Sequence, residues 1–147
     1  MGVRTGAAKP DISSIEAFKR SLLAVKSLVY PDPDKGGASG IYFVRVLDRL
    51  GIADQMKPKT KLLAQGYTAE FVAKGEAEVA IQLANEILAV PGVEFVPLPP
   101  ELQTTDFVFS AGVAISAKEP EVAKALIRAL SAPAAAPVIK SKNMEPG

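Results

Sequence analysis

The sequence contains no cysteine and no histidine among its 147 residues. Because these side chains supply thiol nucleophiles, imidazole acid–base groups and most zinc ligands, their absence excludes cysteine catalysis, Ser-His-Asp triads and zinc clusters. Tryptophan is also absent and aromatic residues make up only 6%, which disfavours stacking platforms for nucleic-acid bases. The 17 basic and 16 acidic residues give a net charge of +1. We therefore predict no nucleic-acid partner.

Long apolar runs are missing as well. No stretch of about 18 consecutive apolar residues is present, so the sequence predicts no membrane-spanning helix. The N-terminal stretch MGVRTGAAKPD lacks the basic and apolar segments of a secretory signal, and the chain as given is expected to stay in the cytoplasm. A cysteine-free composition is compatible with either cytosol or periplasm.

The sequence does show an alternation of strand and helix patterns in a chain long enough for one core. The predicted strands are GVR (2–4), SLVYPDP (27–33), KTKLLA (59–64), EVAIQLA (78–84) and FVFSAGVAIS (107–116). Helical patterns lie between and after them, and Ser13 with Glu16 indicates a capping box at the start of the first helix. This order predicts an α/β fold with a sheet flanked by helices.

Two predicted strands are each followed by a loop of small residues that opens a helix. These loops are DPDKGGASG (32–40) and AQGYT (64–68). Free backbone N–H groups and the positive end of the helix dipole favour an anion at such a point. Ser39, Tyr67 and Thr68 add hydroxyl donors. On the residues alone, an ordinary turn and helix cap is the favoured interpretation of both loops.

Three polar residues, Gln82, Asn85 and Glu86, lie at the end of the strand predicted at 78–84. They either line a cleft with the two loops or form a solvated helix start. GGASG is followed by no GK[ST], so it does not predict a nucleotide-phosphate loop. No pair of carboxylates has convincing acid–base spacing, and the sequence therefore predicts a non-enzyme without a cofactor.

Taken in order, several stretches resemble one known family. They are DPDKGGASGIYFVRVLDRLGIAD, GYTAEFVAKGEAEVAIQLANEI, VPGVEFVPLPPELQ, FVFSAGVAISAKEPEVAKALIRALSAP and the ending MEPG. Together they are similar to the molybdate-binding-like family of periplasmic solute-binding proteins, which serve ABC transporters and have the type II periplasmic-binding fold. The resemblance covers nearly the whole chain.

The resemblance implies two α/β lobes that close on an anion such as molybdate. It implies that residues 1–98 form the second lobe with its hinge strands, and that residues 99–147 complete a first lobe whose N-terminal part is missing. It also implies a periplasmic location and a membrane permease as partner. The ligand-binding residues implied by the resemblance or predicted from their positions are Ala38, Ser39, Gly40, Gly66, Tyr67, Thr68, Gln82 and Glu86.

Two alternatives stay open at this point: a cytoplasmic effector-sensing module of a regulator with the same fold, and a remnant that binds nothing. The truncation also suggests an oligomer. Residues 107–116 and the helix face formed by Val122, Leu126 and Leu130 would normally pack against the missing part. Because exposed apolar surface is unfavourable in water, we expect the chain to form a homodimer that covers this face.

Overall fold

The computed structural model describes residues 1–104 and 107–147. The chain divides into two compact units, Met1–Thr104 and Thr105–Gly147. The lobe boundary predicted between residues 98 and 99 stays a prediction, because a compact unit need not coincide with a lobe.

The first unit contains five strands and five helices among its residues 1–104. The strands are β1 (Gly2–Arg4), β2 (Leu28–Pro31), β3 (Thr60–Leu63), β4 (Val79–Ala80) and β5 (Val93–Phe95). The helices are α1 (Ile15–Ala24), α2 (Ala38–Leu50), α3 (Ala53–Met56), α4 (Ala69–Lys74) and α5 (Ala84–Ile87). Short 3-10 turns lie at Pro33–Lys35, Lys57–Lys59 and Pro100–Leu102.

The five strands form one mixed sheet in the order β3-β2-β4-β1-β5. Strand β2 runs parallel to β3 and β4, whereas β1 is antiparallel to β4 and β5. The predicted α/β class with a mixed sheet and covering helices is confirmed. Because β2, β3 and β4 are parallel neighbours, the loops that follow them leave from the same edge, which we call the carboxyl edge.

Helices cover both faces of this sheet. Phe18 of α1 and Phe43 of α2 are fully buried on one face together with Leu28 and Tyr30 of β2. Val29, between those two residues, belongs instead to the cluster formed with α4 and α5. This alternation is the period of two expected for a strand buried on both sides. The core therefore fixes the direction in which each strand delivers its loop.

The first helix starts one residue later than its predicted cap. Ser14, and not Ser13, is the N-cap, and its Oγ accepts a hydrogen bond from the Ala17 N–H at 3.1 Å. The Ser13 N–H donates to Asp11 Oδ1 at 2.9 Å. A serine pair before an apolar helix leaves the cap position ambiguous by one residue, and here Asp11 holds Ser13 in the preceding turn.

The second unit contains α6 (Pro120–Ser131) and α7 (Ala136–Ser141), joined by a 3-10 turn at Pro133–Ala135. The strand predicted over residues 107–116 is wrong, because these residues form no strand. A strand needs a hydrogen-bonded neighbour, and the described residues of this unit contain no other strand to pair with.

Among the described residues, no single helix is long and apolar enough to cross a membrane. Helix α6 and the segment Pro133–Ser141 reach that length and apolar composition only when taken together, and they are bent by 59° with respect to each other.

The apolar face of α6 leads to a prediction about self-association. Val122, Leu126 and Leu130 are each more than half exposed, and their spacing places them on one side of the helix. We expect the chain to form a dimer at tens of micromolar in sedimentation velocity. Leu126→Gln should shift it towards monomer, because it replaces the centre of that face by a polar group.

Lys124→Gln is the matched control, since it places the same side chain on the polar face, where Lys124 pairs with Glu121 at 2.7 Å. It should leave the sedimentation profile unchanged. A wild-type chain that is entirely monomeric at that concentration would contradict the expected homodimer.

Candidate functional site

The carboxyl edge brings the three predicted loops together. The Asp32 N–H donates to the Leu63 carbonyl oxygen at 2.8 Å, which ties the loop after β2 to the end of β3. On the other side, the Ile81 N–H donates to the Val29 carbonyl oxygen at 2.8 Å, so the segment leaving β4 stays beside β2. The polar residues that follow these three strands are therefore neighbours at one edge of the sheet.

The loop between β2 and α2 is closed by its own hydrogen bonds. Asp32 Oδ1 accepts the Asp34 N–H at 3.0 Å, and the Asp32 carbonyl oxygen accepts the N–H groups of Lys35 and Gly37 at 3.2 and 3.1 Å. Gly36 has a φ of +81°, a conformation that favours glycine. These contacts order the turn, so α2 begins at a defined position at the carboxyl edge.

The N-terminus of α2 lacks a side-chain cap. Gly37 is its N-cap, and the N–H groups of Ala38, Ser39 and Gly40 form no hydrogen bond with the described residues. The first N–H groups of a helix have no acceptor within the helix itself. The 13 residues of α2 also add a helix dipole whose positive end lies here. This turn therefore presents unpaired donors to an anion.

Ser39 is the second indication of a ligand at this turn. The residue is only 8% exposed, and its hydroxyl forms no hydrogen bond with any described residue. Because no fully buried side-chain oxygen among the described residues lacks a partner, this hydroxyl reaches the surface of the turn. An accessible hydroxyl without a protein partner, in the same turn as three unpaired N–H groups, is available to a bound anion.

Gly40 is explained by packing within the protein. A Cβ atom at this position would overlap the Pro31 carbonyl oxygen and lie 2.9 Å from the Pro31 carbonyl carbon. The first turn of α2 therefore packs directly on the end of β2, and only glycine fits between them. The binding role of Gly40 stays a prediction that concerns its N–H group. Ala38, by contrast, is exposed.

Thr68, in the loop after β3, is hydrogen-bonded to Gln82, which follows β4. Thr68 is fully buried, and its hydroxyl lies 3.1 Å from the Ile81 carbonyl oxygen and 2.9 Å from Gln82 Oε1. Gln82 Oε1 also accepts the Thr68 N–H at 2.7 Å, while Gln82 Nε2 donates to the Gly66 carbonyl oxygen at 3.0 Å. These bonds join the loop to the end of β4. Both side chains are therefore engaged in positioning the loop.

Tyr67 has an accessible side chain, at 44% exposure, and Gln65 in the same loop is exposed as well. Gly66 before it has a φ of +97°, which directs the chain into α4. Because α4 has only six residues, its dipole contributes less than that of α2. A ligand at this loop would therefore meet the tyrosine hydroxyl more readily than a helix terminus.

Glu86 lies in the first turn of α5, half-buried at the carboxyl edge. Its Oε2 accepts the Leu83 N–H at 3.1 Å, and its own N–H donates to the Leu83 carbonyl oxygen at 3.1 Å. Burial raises the pKa of the Glu86 carboxyl, and the hydrogen bond from Leu83 opposes part of that rise. A carboxyl group with a raised pKa is better suited to exchange a proton near neutral pH than an ordinary glutamate.

A cleft of about 590 Å³ lies at the opposite edge of the sheet, where β2 and β4 begin. Its polar lining includes Arg4, Lys9, Ser21 and Glu78. The sequence did not predict this cleft. Knowledge that β1 pairs with β4 in antiparallel orientation would have placed Arg4 beside Glu78 and indicated the cleft. Strand partners, however, cannot be read from one sequence.

Comparison with known proteins gives a family and one relative. A family model described as bacterial extracellular solute-binding protein matches residues 1–145. A protein from Pseudomonas sp. named aconitate isomerase is 34% identical over 147 residues, covering 99% of this chain and 55% of the relative. The chain thus spans about half the length of that relative.

The relative corrects one prediction. A chain so similar to an isomerase contradicts the expectation of a non-enzyme. That expectation depended on the absence of histidine, cysteine and a carboxylate pair, and it gave too little weight to a single carboxyl group in a buried setting such as that of Glu86. Solute binding is supported by the family match, whereas neither comparison names molybdate.

Proposed function

We propose that this chain, which belongs to the family of bacterial extracellular solute-binding proteins, binds a small carboxylate anion at its carboxyl edge. The observation that carries the proposal is the first turn of α2, with three unpaired N–H groups and the hydroxyl of Ser39, which reaches the surface of that turn without a protein partner. Hydrogen bonds from N–H and O–H groups to a charged oxygen are among the stronger ones in proteins. One carboxylate of the ligand would occupy this turn.

Aconitate is the ligand we propose, because the relative is named as an isomerase of that compound. Aconitate is a tricarboxylate, so it offers one carboxylate to α2 and others to neighbouring donors. Tyr67 supplies an accessible hydroxyl, and Lys35, exposed in the turn before α2, supplies a positive charge. Molybdate would use the same donors of α2, and it is therefore the competing ligand in the test.

For catalysis, we propose Glu86 as the proton-transfer group that this chain supplies. Aconitate has a carbon–carbon double bond next to a CH2 group. Acid–base isomerisation removes a proton from that CH2 and returns one at the far end of the three-carbon unit. Burial raises the pKa of Glu86, which strengthens it as the proton acceptor. The remaining contacts of a complete site would come from a segment that corresponds to the part of the relative outside this match.

Delivery of a bound solute to a membrane permease, in the periplasm, is the second function we propose. It is favoured by the match to an extracellular solute-binding family over residues 1–145. The regulator module and the non-binding remnant have no comparable observation in their favour. Binding and isomerisation would use the same carboxyl edge, so variants of that edge address both.

Calorimetric titration with cis-aconitate, trans-aconitate and molybdate tests the binding site. We expect aconitate to bind, and Ser39→Ala to weaken it by about tenfold or more, the loss typical of one hydrogen bond to a charged group. Ser13→Ala is the matched control, because Ser13 lies before α1 and should leave the affinity unchanged. Binding of molybdate alone, or equal affinity of the Ser39→Ala variant, would refute the proposal.

Proton NMR of a solution of cis-aconitate and the chain tests the isomerase activity. We expect slow formation of the trans isomer, and its loss in Glu86→Gln with the affinity for aconitate retained. Glutamine keeps an oxygen that can accept the Leu83 N–H, so the start of α5 should remain intact. Unchanged turnover in Glu86→Gln would remove Glu86 from the mechanism.

A further inference from the structure

The cleft at the opposite edge contains an arginine that is held in place without a carboxylate partner. Arg4 Nε donates to the Val72 carbonyl oxygen at 3.3 Å, and the guanidinium lies so close to Gly75 that a Cβ there would overlap its Nη2. The side chain thus packs on the negative end of α4. Its two Nη groups form no hydrogen bond or ion pair with any other described residue.

A carboxylate lies beside this arginine. Val3 pairs with Val79 in the antiparallel ladder, so Arg4, the last residue of β1, is next to Glu78, which directly precedes β4. Opposite charges at such positions normally pair. Here Glu78 Oε2 instead accepts the Lys26 N–H at 2.8 Å, and among the described residues Glu78 forms no ion pair.

The other polar groups of the cleft are already neutralised or neutral. Lys9 pairs with Glu94 at 2.7 Å, and Glu94 also accepts the Gly6 N–H at 3.0 Å, which fixes the loop after β1 as one wall. Ser21 Oγ accepts the Asp11 N–H at 2.9 Å and keeps its own proton to donate. Arg4 and Glu78 therefore remain as one cation and one anion without an ionic partner among the described residues. Each is hydrogen-bonded to a backbone group instead.

We infer that this cleft binds a small zwitterion of the α-amino acid class, with its carboxylate on Arg4 and its ammonium group on Glu78. The volume of about 590 Å³ is within the range of small-molecule sites. The accessible apolar lining includes Ala7, Ala24 and Val25, which suit an aliphatic side chain. The site is separate from the carboxyl edge, and this inference does not depend on the function proposed there.

NMR titration of the 15N-labelled chain with L-leucine tests the site. Two isosteres separate the contributions of its charges: 4-methylpentanoate lacks the ammonium group, and 3-methylbutylamine lacks the carboxylate. We expect leucine to shift the amide signals of Gly75 and Glu78, and to bind at least about tenfold more tightly than either isostere, since each lacks one charge-assisted hydrogen bond.

Two variants locate the binding. Arg4→Gln and Glu78→Gln should each weaken leucine binding about tenfold or more, and the amide introduced by Glu78→Gln would still offer an oxygen to the Lys26 N–H. Arg45→Gln, an exposed change on α2, is the control. Dispersed spectra of every variant would establish that each is folded. Equal affinity for leucine and 4-methylpentanoate would replace the inference by a simple anion site, and unchanged signals at Gly75 and Glu78 would overturn it.

Discussion

Gly40→Ala is expected to lower the free energy of unfolding by about 3 kcal/mol or more, the upper range for inserting atoms into a packed site. The added methyl group would overlap the Pro31 carbonyl oxygen. Because the obstacle is backbone at the end of β2, it cannot move aside as a flexible side chain would. The gain in helix propensity, about 1 kcal/mol for alanine over glycine, offsets only part of this cost. Urea denaturation followed by circular dichroism measures the change.

Two neighbouring variants separate overlap from other effects. Ala38→Ser, an exposed change in the same turn, should alter stability by no more than about 0.5 kcal/mol. Gly36→Ala adds a methyl group with no atom within 4 Å, but at a φ of +81°, so it should cost about 1 to 2 kcal/mol from backbone strain alone. A loss below about 1 kcal/mol for Gly40→Ala would show that α2 and β2 are not in direct contact.

This prediction changes how Gly40 can be used to test ligand binding. A β-branched residue at position 40 would abolish binding by disrupting the fold, whether or not the Gly40 N–H contacts a ligand. Ser39→Ala is the sharper probe, because it removes one hydroxyl that has no partner within the described protein. The sequence predicted the small residues at the start of α2, but the distance from α2 to β2 is a property of the packed sheet.

The roles of Thr68 and Gln82 also depend on how the strands pack, and a single sequence does not show this. Their positions at or after the ends of two predicted strands placed both near the carboxyl edge. Their mutual hydrogen bonds at 2.7 and 2.9 Å arise because β3 and β4 are the two neighbours of β2 in the sheet, which one sequence does not reveal. For residues 107–116 the predicted strand was wrong. Their apolar composition is typical of a strand, but a strand also needs a partner to pair with. Local patterns thus predicted the fold class and, to within one residue, the start of α1, whereas contacts between distant segments decided the roles of single residues.

The second large effect, for the chain prepared with Met1 as its free N-terminus, is a loss of stability between pH 8 and pH 5. Met1 is only 3% exposed, and its α-amino group donates to the Val96 carbonyl oxygen at 2.7 Å. Burial lowers the pKa of that amino group from 8.0 to about 5. In the unfolded chain the amine takes up its proton as the pH falls through 8, whereas the folded chain resists protonation until about pH 5. The free energy of unfolding should therefore decrease across this interval by about 4 kcal/mol, at 1.36 kcal/mol for each of about three pKa units.

N-terminal acetylation is the matched control for a chain prepared with Met1 retained. The acetylated chain has no amine to titrate but keeps an N–H that can donate to Val96. Titrations of the other groups, including Glu86 with its raised pKa, are common to both chains and cancel in the difference. We expect the two chains to be equally stable above pH 8, to diverge as the pH falls, and to keep a constant difference below about pH 5 in urea denaturation. Parallel profiles over the whole range would show that the amine is hydrated in the folded chain, and that Met1 is not packed against Val96.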